Sequence, residues 1–198
     1  MTRSRRSTRD AADPSDERSI PGEGSGADSL GTEGVVGGDP EVLARAIVLR
    51  RLTRAPQTRS QLAEALAARG VPEDAARQVL DRMADVGLVN DAEFTAMYVR
   101  SRRASRGLAP RVLAAELRTK GVDEAIIRAE LDGIEPDDDR QLAASLVARR
   151  APLTAGLDPE ARRRRLVGML LRKGFPPGMA FEVVASALRE EDLLADEA

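Results

Sequence analysis

One pattern occurs three times along this chain and constrains its fold more than any other feature. Leu62, Leu66, Arg69, Gly70 and Val71 are followed by Leu113, Leu117, Lys120, Gly121 and Val122, and then by Leu166, Leu170, Lys173, Gly174 and Phe175. The shared form is L-x3-L-x2-[RK]-G-[VF], and it recurs at a period of roughly fifty residues. Leucines four apart lie on one helix face, and a basic residue followed by glycine is the mark of a helix C-terminus that closes in a left-handed turn. Downstream of each glycine a second apolar stripe holds the same register: Ala76, Leu80 and Met83, then Ile127, Leu131 and Ile134, then Ala180, Val184 and Ala187. Units of this kind bury their faces against their neighbours, so the period predicts an all-α fold of tandem three-helix repeats in an elongated, curved array.

Cap chemistry divides the chain further. Asp39-Pro40 and Asp158-Pro159 put an N-cap acceptor before proline at the first helical position, and Thr58 with Gln61 and Asn90 with Glu93 have capping-box spacing. The predicted units are 40–90, with helices Pro40–Thr53, Thr58–Arg69 and Glu73–Val86; 91–136, with Asp91–Arg106, Ala109–Lys120 and Asp123–Ile134; and 137–198, with Asp137–Arg150, Pro159–Lys173 and Pro176–Glu190. Pro152 and Gly156 lie in a longer junction within the third unit. Residues 1–39 are Gly-, Ser- and Asp-rich, poor in large apolar residues and interrupted by Pro14 and Pro21, which predicts a disordered tail.

Composition removes most catalytic chemistry. Among 198 residues there is no His and no Cys, hence no Ser-His or Cys-His nucleophile, no imidazole or thiolate metal site and no disulfide. Gly22, Gly24 and Gly26 follow no strand and precede no Gly-Lys-Ser/Thr, so they do not make a phosphate loop. The chain therefore reads as no enzyme, with no cofactor and no metal. The aromatic set is Phe94, Tyr98, Phe175 and Phe181, too small for a base-stacking platform, and Phe94 with Tyr98 one turn on reads as core packing. The start, MTRSRRSTRD, carries charge but no apolar run, and the longest apolar stretch, Leu166 to Leu171, is far short of a membrane span; a soluble cytoplasmic protein is expected.

Charge distinguishes the repeats. The net charge of −2 conceals a basic middle between acidic ends. Val99 to Gly121 carries Arg100, Arg102, Arg103, Arg106, Arg111, Arg118 and Lys120 against the single acid Glu116. Between Arg140 and Lys173 stand Arg149, Arg150, Arg162, Arg163, Arg164, Arg165, Arg172 and Lys173, with Arg140 itself, against Asp158 and Glu160. Guanidinium forks suit phosphate and carboxylate alike, so these residues are the candidate partner- or DNA-binding faces. Asp137, Asp138 and Asp139 open a helix and serve its dipole.

The runs Thr58-Arg59-Ser60-Gln61-Leu62, Leu88-Val89-Asn90-Asp91-Ala92-Glu93-Phe94, Tyr98-Val99-Arg100-Ser101-Arg102 and Leu113 to Gly121 resemble the successive signatures of RecX regulatory proteins. The resemblance extends over about Pro40 to Leu188 and is most specific in the second unit. It implies three tandem three-helix units, no catalytic activity, and binding along the RecA filament on DNA. There the family curbs filament extension and with it strand exchange, ATP hydrolysis and co-protease function, in DNA repair and the SOS response. Weak contact with single-stranded DNA through the basic middle, a monomeric state and no membrane contact are further expectations. The first unit lacks the heavy basic content expected of the family, and the acidic tail lies outside the resemblance.

The rival reading is a helix-turn-helix or winged-helix transcription regulator over Arg59 to Val89, where Gly87-Leu88-Val89 would lead into a wing. A capped helix predicted after Val89, and the threefold repeat, argue against it.

Overall fold

The computed structural model describes residues 39–191, with the backbone followed on to Asp196. The expected disorder of residues 1–39 falls outside the described residues, except for Asp39, which caps the first helix. Among the described residues there are nine α-helices and no strand: α1 (Pro40–Leu52), α2 (Arg59–Ala67), α3 (Glu73–Asp85), α4 (Asp91–Arg106), α5 (Pro110–Thr119), α6 (Glu124–Leu131), α7 (Pro136–Arg150), α8 (Pro159–Arg172) and α9 (Pro177–Asp196). A helix, not a β-hairpin, follows Val89, so the segment has no wing. A short 3-10 turn, Ala151–Thr154, fills the long junction of the third triplet. The last helix continues beyond Glu190 to Asp196, since no Gly or Pro interrupts it there. None of the described helices is long and apolar enough to cross a membrane.

Local chemistry sets these boundaries. The Asp39 and Asp158 carboxylates accept from backbone N–H groups of the first turns of α1 and α8, with proline at the first helical position of each. Thr58 and Gln61 close a reciprocal capping box. Asn90 takes the N–H groups of both Ala92 and Glu93, but no bond returns from the Glu93 side chain, so the second box is half made.

Each triplet has its own core. Leu62, Leu66, Leu113, Leu117, Leu166 and Leu170 are all completely buried, and each helix packs chiefly against the other two of its triplet. The repeated glycine turns are built alike. The amides of Val71, Val122 and Phe175 reach back to the carbonyls of Leu66, Leu117 and Leu170, each at 3.2 Å, across glycines with φ of 71°, 71° and 92°. The residue after each glycine is thereby folded into the core of its own triplet.

The same turns join the triplets. The Thr58 hydroxyl, at the start of α2, donates to the Lys120 carbonyl at 2.6 Å; the Ala109 amide, at the start of α5, donates to the Lys173 carbonyl at 2.9 Å. A Cβ on Gly121 would stand 2.2 Å from the Ser60 hydroxyl oxygen, and one on Gly174 would stand 2.7 Å from a Val112 methyl. Glycine is required there twice over, for its positive φ and for the close approach. The Asp91 carboxylate adds a bond from the Arg59 amide at the first junction, and Ala109 is buried in the third core at the second.

Candidate partner-binding surface

The basic residues of α4 separate by helical angle. Tyr98, Arg102 and Arg106, spaced by four, share one face, while Arg100 and Arg103 point elsewhere. On the shared face Tyr98 stacks on Phe94 with ring centroids 5.8 Å apart, and its hydroxyl donates to Glu116 Oε2 at 2.8 Å. The Arg102 guanidinium lies 4.9 Å and the Lys120 ammonium 5.3 Å from the Tyr98 ring centroid. Glu116 also pairs with Arg102 at 3.9 Å and Arg106 at 3.5 Å. Burial, and after it the bond to Glu116, pushes the Tyr98 hydroxyl above its ordinary pKa. One carboxylate thus serves two guanidinium groups and a phenol, and the face stays positive.

Other members are held by their surroundings. Arg103 turns inward to Asp139 of α7 at 2.5 Å, with only 17% and 11% of the two side chains exposed. Arg162 is at least as enclosed as Arg103, and it donates to the Thr154 hydroxyl, the Ala151 carbonyl and Glu191, tying the 3-10 turn to α9. Arg118 grips Glu124 with two bonds of 2.7 and 2.8 Å, which hold that carboxyl below its usual range. Arg163 pairs with Glu160, Arg149 bonds the Ser145 carbonyl, and Arg150 is half-buried. Arg100, Arg111, Arg164, Arg165 and Arg172 are exposed, with neither an ion pair nor a side-chain hydrogen bond among the described residues.

The two basic windows meet at the second junction. The Lys173 ammonium donates to the Arg106 carbonyl at 2.7 Å, where the negative end of the α4 dipole favours a cation. Because the Ala109 amide bonds the Lys173 carbonyl, Arg111, two residues past Ala109, and Arg172, next to Lys173, belong to the same junction. Arg106, Arg111, Arg172 and Lys173 are thus gathered from windows 67 residues apart at their linked members.

Three family models match in series: RecX, first three-helix domain, at residues 44–83; RecX, second three-helix domain, at 90–131; and RecX, third three-helix domain, at 137–184. Regulatory protein RecX of Streptomyces coelicolor is 52% identical over 153 residues, which are 77% of this chain and 81% of that protein. The chain belongs to the RecX family. Regulatory protein RecX of Thermobifida fusca is 48% identical over 171 residues, covering 84% of this chain and 92% of its relative. The crystal structure of RecX from Lactobacillus salivarius superposes with a TM-score of 0.68 over 78% of this chain and 98% of that one, at 21% identity, and so shares the fold.

Within this RecX-family chain, sequence reading left out two parts of the surface. Glu116 and Tyr98 organise the α4 face, and the signal was present: Glu116 is the lone acid in its window. Asp139 and Glu191, which hold Arg103 and Arg162, gave no such signal, since they lie 36 and 29 positions away on other helices. Among the described residues no three acidic side chains converge as a metal site would require; Asp137 pairs with Arg140 instead.

Proposed function

We propose that this RecX-family chain is a non-enzymatic regulator, built as units 40–90, 91–136 and 137–198, that binds the RecA filament on single-stranded DNA and limits its extension. Suppression of strand exchange, ATP hydrolysis and co-protease activity follows from that one binding event. The observation that carries the reading is the positive junction between the second and third triplets. There Arg111 and Arg172 are exposed without partners among the described residues, while Lys173 is fixed to the Arg106 carbonyl. A fixed backbone lowers the ordering cost of binding, and guanidinium groups without an internal partner break no ion pair to meet carboxylates or phosphates on a filament. Arg100, Arg102, Arg106 and Lys120 extend this contact along the second triplet, whereas Arg103 and Arg162 hold helices together.

The test is co-sedimentation with preformed RecA filaments on single-stranded DNA, beside DNA alone. The chain should pellet with the filaments far more than with bare DNA and should suppress RecA ATPase stoichiometrically while hydrolysing no ATP itself. Failure to pellet, or a preference of about a thousandfold for one duplex sequence without RecA, would contradict the reading.

A further inference from the structure

Both junctions of the array use one device. A helix-terminal turn, Lys120-Gly121-Val122 or Lys173-Gly174-Phe175, presents a carbonyl and a bare glycine Cα to the start of a helix in the preceding unit. The receiving helix supplies a donor at its N-cap, the Thr58 hydroxyl or the Ala109 amide, and a short side chain in its first turn, Ser60 or Val112.

A third copy of the turn stands unused. Arg69-Gly70-Val71 has the same backbone bonds and the same φ of 71° as Gly121. Yet among the described residues nothing lies within 4 Å of a Cβ built on Gly70, and the Arg69 carbonyl accepts no bond from them. We propose that this turn of the first unit is a protein-docking surface, one that receives the N-terminal turn of a partner α-helix bearing Ser or Thr at its N-cap.

A second copy of the chain does not supply that helix through its third unit. There α8 begins a turn earlier, so Arg162, the counterpart of Thr58 and Ala109, has its amide bonded to the Asp158 carbonyl at 2.9 Å. The positions matching Ser60 and Val112 are the exposed Arg164 and Arg165. The third unit therefore closes the array as a polar terminal cap, and among the described residues the first unit leaves it open.

The docking chemistry can be tested with the chain's own receiving helix. A second copy of residues 40–90 spliced ahead of Pro40 places a Thr58 and a Ser60 before the native Gly70 turn. One cooperative thermal transition is expected, with a midpoint above that of the parent. Gly70→Asn in the native unit should abolish the rise, because asparagine tolerates the left-handed conformation but fills the approach. Gly87→Asn, also at positive φ with open space around it, should not. Separate transitions, or a rise that survives Gly70→Asn, would overturn the proposal.

Use of the surface on RecA filaments rests on the function proposed above and has its own readout. In the parent chain, Gly70→Asn should weaken filament binding about tenfold, the scale of removing a single central anchor from an interface, while Gly87→Asn leaves it unchanged. Equal binding by both variants would overturn docking at this turn on the filament. A parent that does not pellet would instead defeat the filament reading, and the four-unit chain would still decide the surface.

Discussion

Thr58 and Lys120, 62 positions apart, are joined by a 2.6 Å bond from a buried hydroxyl to a backbone carbonyl, and this bond couples the first triplet to the second. The same hydroxyl accepts from the Gln61 amide, so it caps α2 as well. Thr58→Ala removes a cap and an inter-unit bond together and should cost about 2 kcal/mol, whereas Thr58→Ser should cost less than half of that. Urea denaturation of both variants measures it. Equal losses would show that the methyl group, not the hydroxyl, matters.

Arg103 and Asp139 make the corresponding ionic link at the second junction. Removing either partner alone leaves a largely enclosed charge, so Arg103→Met or Asp139→Leu should each destabilise by about 3 kcal/mol. The double variant should recover much of that loss, and the coupling should appear as non-additivity in the cycle. Additive losses would mean the two side chains act independently.

Tyr98 is the single tyrosine and there is no tryptophan, so its ionisation can be followed by near-ultraviolet absorbance without interference. Its pKa is raised by burial first and by the bond to Glu116 second. The titration midpoint in the folded chain should therefore lie above the ordinary tyrosine value of 10.0 and fall when Glu116 is replaced by Gln. The sign for stability follows. The neutral phenol is favoured in the fold, so this contribution is fully present below the unfolded pKa of about 10 and is lost as pH rises through the folded value. Tyr98→Phe should remove that alkaline loss. A midpoint at or below the ordinary tyrosine value would contradict the packing described for this face.

Much of the fold was legible because it is local. Leucines four apart, a basic residue before glycine, and Asp-Pro at helix starts each act within one or two turns, and the burial of Leu66, Leu117 and Leu170 follows from them. The surface was legible only as a composition. That Arg103 and Arg162 face inward while Arg111 and Arg172 have no partner among the described residues depends on how the helices are arranged, and Asp139 and Glu191 become partners only once the second junction brings the start of α7 to Arg103 and α9 packs on α8. Nor does helical spacing along either window show that Lys173 would close on the Arg106 carbonyl.

The most direct test of the account is the salt dependence of filament binding by the parent chain and by a variant with Arg111→Gln and Arg172→Gln. Both residues are exposed and unpaired among the described residues, so the variant should keep the parent's circular dichroism spectrum and melting midpoint. Its affinity for RecA filaments on single-stranded DNA should drop. If the two guanidinium groups engage phosphates, the slope of log affinity against log salt should also flatten by about 0.7 for each phosphate released from its arginine. Unchanged affinity and slope in a folded variant would place the partner-binding surface somewhere other than the junction of the second and third triplets.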